Sequence, residues 1–285
     1  MRLITELSEW RRYADEQRRA GRRVGLVATM GALHAGHSSL FRAARDRGDV
    51  LLATLFINPR QFNDAADLAS YPRSPESDRE LAEASGVDCL VMPSLAQMWP
   101  TYPAPTSTTV SVGGLSEVLE GAGRPGHFDG VASVVAKLFT VTGPCRAYFG
   151  EKDLQQLAVV RQLVRDLAFD VEVVGCPIVR DEDGLALSSR NVLLSTDARR
   201  RARAISQALR ALEPRPATAS EQRAILVRAL GSADLDIDYA EVVDPVTFAA
   251  CTDDDAGMRR AMVAARVDGL RLIDNGPVTL LREDH

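Results

Sequence analysis

The sequence predicts an α/β protein: a doubly wound parallel sheet followed by a smaller α+β C-terminal domain. Three observations carry that expectation. Short, nearly continuous apolar runs alternate with amphipathic helical stretches up to Val174, as strands covered on both faces of a parallel sheet require. A glycine-rich turn at residues 29–37 joins one such run to a helix. After Val179 the alternation gives way to two helical stretches and three strand candidates in series.

Each element follows from its local pattern. Residues 6–19 read as an amphipathic helix, and 23–29 as a short buried strand. Beyond the glycine turn, 38–47 reads as helix and 50–57 (VLLATLFI) as a second strand. A helix over 77–85 leads into a strand at 87–91, and a helix over 130–141 leads into a strand at 145–149. Residues 153–167 are helical and 171–174 extended. Helices at 196–212 and 220–230 flank a proline-bearing break at Pro214 and Pro216, and strand candidates follow at 237–243, 262–266 and 269–273. The boundary falls between Pro177 and Arg180, giving domains 1–178 and 179–285.

Composition narrows the function classes. At 285 residues, two domains or one large α/β domain are expected at about 150 residues per domain. With 46% hydrophobic and 26% charged residues, the chain is of ordinary globular composition rather than disordered. The net charge of −5 argues against a broad nucleic-acid footprint. Cys89, Cys145, Cys176 and Cys251 form no CxxC pair, and four histidines are too few and too scattered for a structural zinc cluster. No metal site is therefore expected from these residues. The N-terminus shows no signal peptide and no apolar run approaches 18 residues, so a reduced, cytoplasmic protein with no membrane span is expected.

The basic residues are skewed: 32 of 34 are arginine, and only Lys137 and Lys152 are lysine. A compact, rotatable ammonium does what a planar guanidinium fork cannot, so these two positions stand out. The turn Thr29-Met30-Gly31-Ala32-Leu33-His34-Ala35-Gly36-His37 lies where open α/β sheets bind nucleotides, at a strand's carboxyl end before a helix. Backbone N–H groups and the helix dipole are expected to converge there on an anion. His34 and His37, three residues apart, are placed to face one phosphate. The turn is neither a Walker A loop nor a GxGxxG fingerprint.

TMGALHAGH resembles the histidine motif of the adenylate-forming nucleotidyltransferase superfamily. Its flanks resemble the pantoate–β-alanine ligase family. The likeness continues in FINPRQF (56–62), YPRSPESD (71–78), LEGAGRPGHFDGV (119–131), YFGEKDLQQL (148–157), VRDEDGLALSSRN (179–191) and RLIDN (271–275). The resemblance implies a Rossmann-like first domain and a smaller C-terminal lid domain. It implies ATP as substrate with Mg2+, pantoate and β-alanine as the other substrates, and a homodimer. His34, His37, Lys152, Ser188, Ser189 and Arg190 take the catalytic roles. Met30, Gly31, Ala32, Leu33, Ala35, Gly36, Gly150, Glu151, Asp153, Val179 and Leu187 complete the ATP site. Gln61 and Gln156 match pantoate ligands, with Gln61 also meeting β-alanine.

Asn58, Arg124 and His127 match motif positions with less defined roles, Arg124 either neutralising substrate or pinning a loop. Lys137 reads as a helix-face contact. Residues 51–57 are either a dimer surface or a buried central strand. Two departures stand out: Ala28 where the family has proline, and Leu187 where it has methionine. Both leave every catalytic group in place. A nucleotidyltransferase acting on a phosphate acceptor, a tRNA synthetase and a non-catalytic ATP sensor are the competing readings. None needs this whole ordered set.

Overall fold

Strands that are apolar on both faces need helices above and below them, and the chain supplies both. In the computed structural model, which describes residues 1–213 and 215–282, the chain divides into two units. Pro214 and His285 lie outside the described residues. The first unit comprises Met1–Ser116, Arg124–Glu151 and Gln156–Pro177. The second comprises Glu117–Gly123, Lys152–Gln155 and Ile178–His285.

The first unit holds β1 (Arg2–Ile4), β2 (Val24–Thr29), β3 (Val50–Leu55), β4 (Cys89–Val91), β5 (Cys145–Gly150) and β6 (Val171–Cys176) in one parallel sheet of order β1-β4-β3-β2-β5-β6. Its helices are α1 (Leu7–Arg19), α2 (Ala35–Asp46), α3 (Ala65–Ser70), α4 (Pro75–Ala84) and α5 (Leu95–Met98). The sheet order reverses between β2 and β5, so their carboxyl ends form the switch point at which such sheets bind ligands. Residues 51–57 are thereby explained from within the chain: β3 is interior, paired to β2 and β4, and Leu51–Leu55 are buried. The dimer-surface alternative for that segment falls away.

In the second unit, α6 (Glu120–Gly123) precedes a return to the first unit through α7 (His127–Thr142), and α8 (Leu154–Asp166) starts in the second unit and continues in the first. Helices α9 (Thr196–Leu212) and α10 (Ala219–Ser232) then cover the antiparallel sheet β7 (Asp236–Val243), β8 (Gly257–Val267) and β9 (Leu270–Leu280). Leu209, Leu226, Val242, Val263 and Leu272 share its core. The β8–β9 hairpin is far longer than the two short strands expected at 262–266 and 269–273. Gly276 and Pro277 read as breakers, but β9 is an edge strand, where a missing N–H costs no ladder bond on the open side.

All four cysteines are free and buried, and burial pushes the thiols of Cys89 and Cys145 up to about 12. Thiols so protonated are poor nucleophiles at neutral pH. Among the described residues no helix is long and apolar enough to cross a membrane, and no group of three His, Cys, Asp or Glu side chains is arranged to hold a metal.

Candidate active site

The glycine turn after β2 is built from two successive left-handed residues, Gly31 (φ 84°) and Ala32 (φ 48°). Glycine adopts that conformation freely, whereas alanine is strained in it. Asp78 of α4 holds the strained residue: its buried carboxylate accepts the N–H groups of Ala32 at 2.9 Å and Leu33 at 2.7 Å. Thr29 Oγ1 accepts from Gly31 N, and His34 Nδ1 from Gly36 N at 3.1 Å. His37 Nδ1 accepts from His34 N at 3.3 Å, closing a capping box that starts α2 at Ala35 rather than at the expected 38.

These bonds revise the expected chemistry of the turn. The N–H groups of Gly31, Ala32, Leu33, His34 and Gly36 are engaged within the protein, so the backbone is not an open anion cradle. Because each imidazole Nδ1 accepts a backbone proton, each neutral ring carries its own hydrogen on Nε2. The two rings lie 4.2 Å apart between centroids, a pair of donors in one place.

Gln61 sits in the 3-10 turn Pro59–Gln61 that follows β3. Asn58, buried in the same turn, donates from Nδ2 to Gln61 Oε1 at 3.1 Å, and Gln61 Nε2 lies 3.0 Å from Met30 Sδ. The Gln61 carbonyl is held by His127 Nδ1 at 2.8 Å and by Arg124, which also reaches His127 Nε2. Arg124 thus pins this loop. Helix α7 approaches so closely that a Cβ on Gly130 would stand 2.2 Å from the Arg60 carbonyl oxygen, which is why glycine occupies that position. Gln156 is half-buried, and among the described residues its amide has no hydrogen-bonded partner. Gly150 ends β5 at the switch point, and Glu151 is half-buried beside it.

Within the second unit, Lys152 is 18% exposed with Nζ 4.0 Å from Asp153 Oδ1, and Asp153 is exposed. Asn275 of β9 donates to the Lys152 carbonyl at 3.0 Å, and Arg260 Nε donates to Asn275 Oδ1 at 2.7 Å. Gln155 is spent on structure, accepting from Glu120 N and donating to Val118 O. Glu120 takes both Arg271 guanidinium nitrogens and the Tyr239 hydroxyl, and burial followed by this carboxylate holds the Tyr239 phenol well above its ordinary range.

Residues 179–187 form a hairpin: Arg180 bridges to Ala186, and Leu187 N donates to Val179 O at 3.0 Å. Its base is fixed by a bidentate Arg180–Asp274 pair at 2.6 and 3.0 Å, and its tip by Arg199 on Asp181 and Asp183. Ser188 Oγ accepts from Arg190 N, opening the 3-10 turn of Ser189–Leu193. Ser189 is buried, and Leu187 and Arg190 are half-buried.

The model of the pantoate-beta-alanine ligase family matches residues 2–277. The chain belongs to the pantoate–β-alanine ligase family. It is 48% identical over 274 residues to the pantothenate synthetase of Acidobacterium capsulatum, covering 93% of this chain and 90% of that one. It is also 48% identical to the Anaeromyxobacter dehalogenans pantothenate synthetase, covering 96% and 97%. Among solved structures, the Thermus thermophilus pantothenate synthetase superposes with a TM-score of 0.87 at 45% identity, covering 96% of this chain and 98% of that one. The Francisella tularensis pantoate-beta-alanine ligase, complexed with beta-gamma ATP and beta-alanine, gives 0.82 at 30% identity, covering 96% and 97%.

The α/β architecture with its small antiparallel domain is that of these ligases. Sequence reasoning missed Asp78. Asp78 lies inside the matched YPRSPESD stretch, but a carboxylate in the first turn of a helix reads as a dipole partner. Only the fold brings it to a turn 46 residues earlier.

Proposed function

We propose that this chain joins (R)-pantoate to β-alanine in two ATP-driven steps. The pantoate carboxylate attacks the α-phosphorus of ATP, the bond to the bridging oxygen breaks, and pyrophosphate leaves. The β-alanine amine then attacks the carbonyl of pantoyl adenylate, the acyl–oxygen bond to AMP breaks, and pantothenate forms as the amine loses its proton. The observation that carries this reading is the family match over residues 2–277, with both motif histidines on one turn at the sheet's switch point.

Such chemistry is positioning and charge neutralisation, and needs no nucleophilic side chain. His34 and His37 donate from Nε2 to phosphate oxygens, with His37 serving the leaving pyrophosphate. Lys152 tracks the α-phosphate, Ser188, Ser189 and Arg190 hold the β- and γ-phosphates, and Leu187 and Val179 give adenine an apolar support. Gln61 and Gln156 bind pantoate, and Gln61 meets β-alanine in the second step. Magnesium arrives as part of the substrate, MgATP, liganded chiefly by triphosphate oxygens and water as this hard ion prefers. A homodimer follows from the family resemblance, and a cytoplasmic site of action and no nucleic-acid partner fit the charge and the free cysteines.

Pantoate-dependent exchange of labelled pyrophosphate into ATP tests the reading. Exchange that requires pantoate, with pantothenate released when β-alanine is added, is expected. Exchange that ignores pantoate would overturn it.

A further inference from the structure

The side-chain amide of glutamine has one end that donates and one that accepts, in nearly the same shape. Which end Gln61 shows to a ligand is decided by its neighbours, and these are anchored by groups with no choice of their own. The Trp99 indole N–H only donates, and it lies 2.9 Å from Asn58 Oδ1, with both side chains buried. The Gly130 carbonyl only accepts, and it takes Asn58 Nδ2 at 3.0 Å. Asn58 Oδ1 also accepts the Arg60 backbone N–H at 3.3 Å, a weaker bond than the indole's, so the Asn58 amide has a single orientation. Its second Nδ2 hydrogen goes to Gln61 Oε1, which turns Gln61 Nε2 away from Asn58. One Nε2 hydrogen meets the weak acceptor Met30 Sδ, and the other is left for a ligand.

We propose that Trp99, acting through Asn58, is a positioning residue that commits Gln61 to presenting N–H rather than C=O to the substrate. A site so committed selects ligand oxygens that accept, such as a carboxylate or a hydroxyl lone pair, and disfavours an ammonium. The relay thus fits Gln61 to the hydroxy acid and, where it meets β-alanine, to that substrate's carboxylate rather than its amine. The indole is itself held by cations: Lys137 Nζ stands 4.6 Å from the ring centroid and donates to the Met98 carbonyl, and the Arg60 guanidinium carbon stands 5.1 Å from the centroid. This gives the other of the chain's two lysines a place in the relay, bonded to the residue next to the indole it braces.

The proposal rests on the reading that Gln61 binds pantoate, and the test separates the two. Trp99→Phe keeps an aromatic ring, though a smaller one, and deletes the donor. It is expected to raise the KM for pantoate about tenfold while the KM for ATP stays near wild type, with a modest fall in melting temperature from the lost ring volume. Asn58→Asp keeps an acceptor for Trp99 but offers no donor to Gln61, so the Gln61 amide reverses. A rise in pantoate KM of about 100-fold is expected. The deciding measurement repeats Trp99→Phe in a Gln61→Ala background, where no further rise in pantoate KM is expected. An additive rise there, or equal changes in the KM values for pantoate and ATP, makes Trp99 a packing residue and overturns the relay. If Gln61→Ala alone leaves pantoate KM unchanged, Gln61 is not a pantoate ligand and the relay falls with that premise.

Discussion

Two segments share the proposed work on the triphosphate, and they are built from opposite kinds of interaction. The turn at 29–37 is held by half-buried hydrogen bonds from its backbone N–H groups to side chains: Asp78 on Ala32 and Leu33, and the two imidazoles capping N–H groups of the same turn. The hairpin at 179–187 is held at its tip by ion pairs at a half-exposed surface, Arg199 on Asp181 and Asp183. Bonds to backbone N–H groups within a half-buried turn keep their geometry as ionic strength changes, whereas exposed ion pairs are worth little and are screened by salt. A turn that presents imidazoles to a developing charge gains from the first design. On the proposed reading, a segment that admits ATP and then encloses it gains from the second.

Removing the donors themselves breaks the comparison most severely. His37→Ala is expected to lower pantoate-dependent pyrophosphate exchange by roughly 10²–10⁴-fold. Pantothenate formation from supplied pantoyl adenylate and β-alanine should change much less, and equal losses in both steps would make His37 a structural cap only. Next in size is Lys152→Arg. The charge and fold survive, but a planar fork cannot follow the α-phosphate oxygens as an ammonium does, so exchange should fall about 100-fold with an unchanged melting curve. Near-normal exchange would remove Lys152 from the transition state.

Asp78→Ala tests whether the turn is preorganised. Two half-buried N–H groups lose their acceptor and Ala32 loses what holds its left-handed backbone, so a stability loss of about 1–3 kcal/mol and an exchange loss of about tenfold are expected. Asp78→Asn keeps one acceptor and should lose less of both in a denaturant titration. The smallest effect is expected at the hairpin. Arg199→Ala should change exchange by only about two- to threefold at low salt and by nothing at high salt.

The hairpin also has a pH signature. Its backbone N–H partner Glu182 and then Arg199 hold the Asp181 carboxyl below its ordinary range. A carboxylate depressed in the folded state stabilises above its unfolded pKa and loses that contribution as pH falls through the folded value. The latch should therefore persist through the usual carboxylate range and open only below it, as proteolysis of the hairpin against pH can show.

Much of this was legible in the residues, and some of it misleadingly so. The helix at Thr196–Leu212 was readable because Ser195 caps it and its apolar residues recur with helical period. The β8–β9 hairpin was not, because Gly276 and Pro277 are breakers by type and tolerated only by their place on an edge. Gln155 and Gln156 are identical letters one position apart, yet the first is buried and ties Glu120 and Val118 while the second stays half-buried. Successive helix residues point about 100° apart, and nothing local says which direction is occupied.

The sequence alone determined the alternation of strands and helices, the glycine turn with its two histidines, the rarity of lysine and the ordered motifs of a ligase. These are local patterns, or patterns of order, and they survive without coordinates. The tertiary structure alone decided that the turn's N–H groups belong to Asp78 and to the imidazoles, that residues 51–56 are interior, and that Trp99, Gly130 and the Arg60 N–H together orient the Asn58 amide that meets Gln61. The decisive pairings join residues far apart in the chain: Asn58 meets Trp99 across 41 positions and Gly130 across 72, and Asp78 meets Ala32 across 46. A hydrogen bond is satisfied by whichever donor and acceptor the packed fold brings within about 3 Å, and that proximity is a property of the fold, not of the letters.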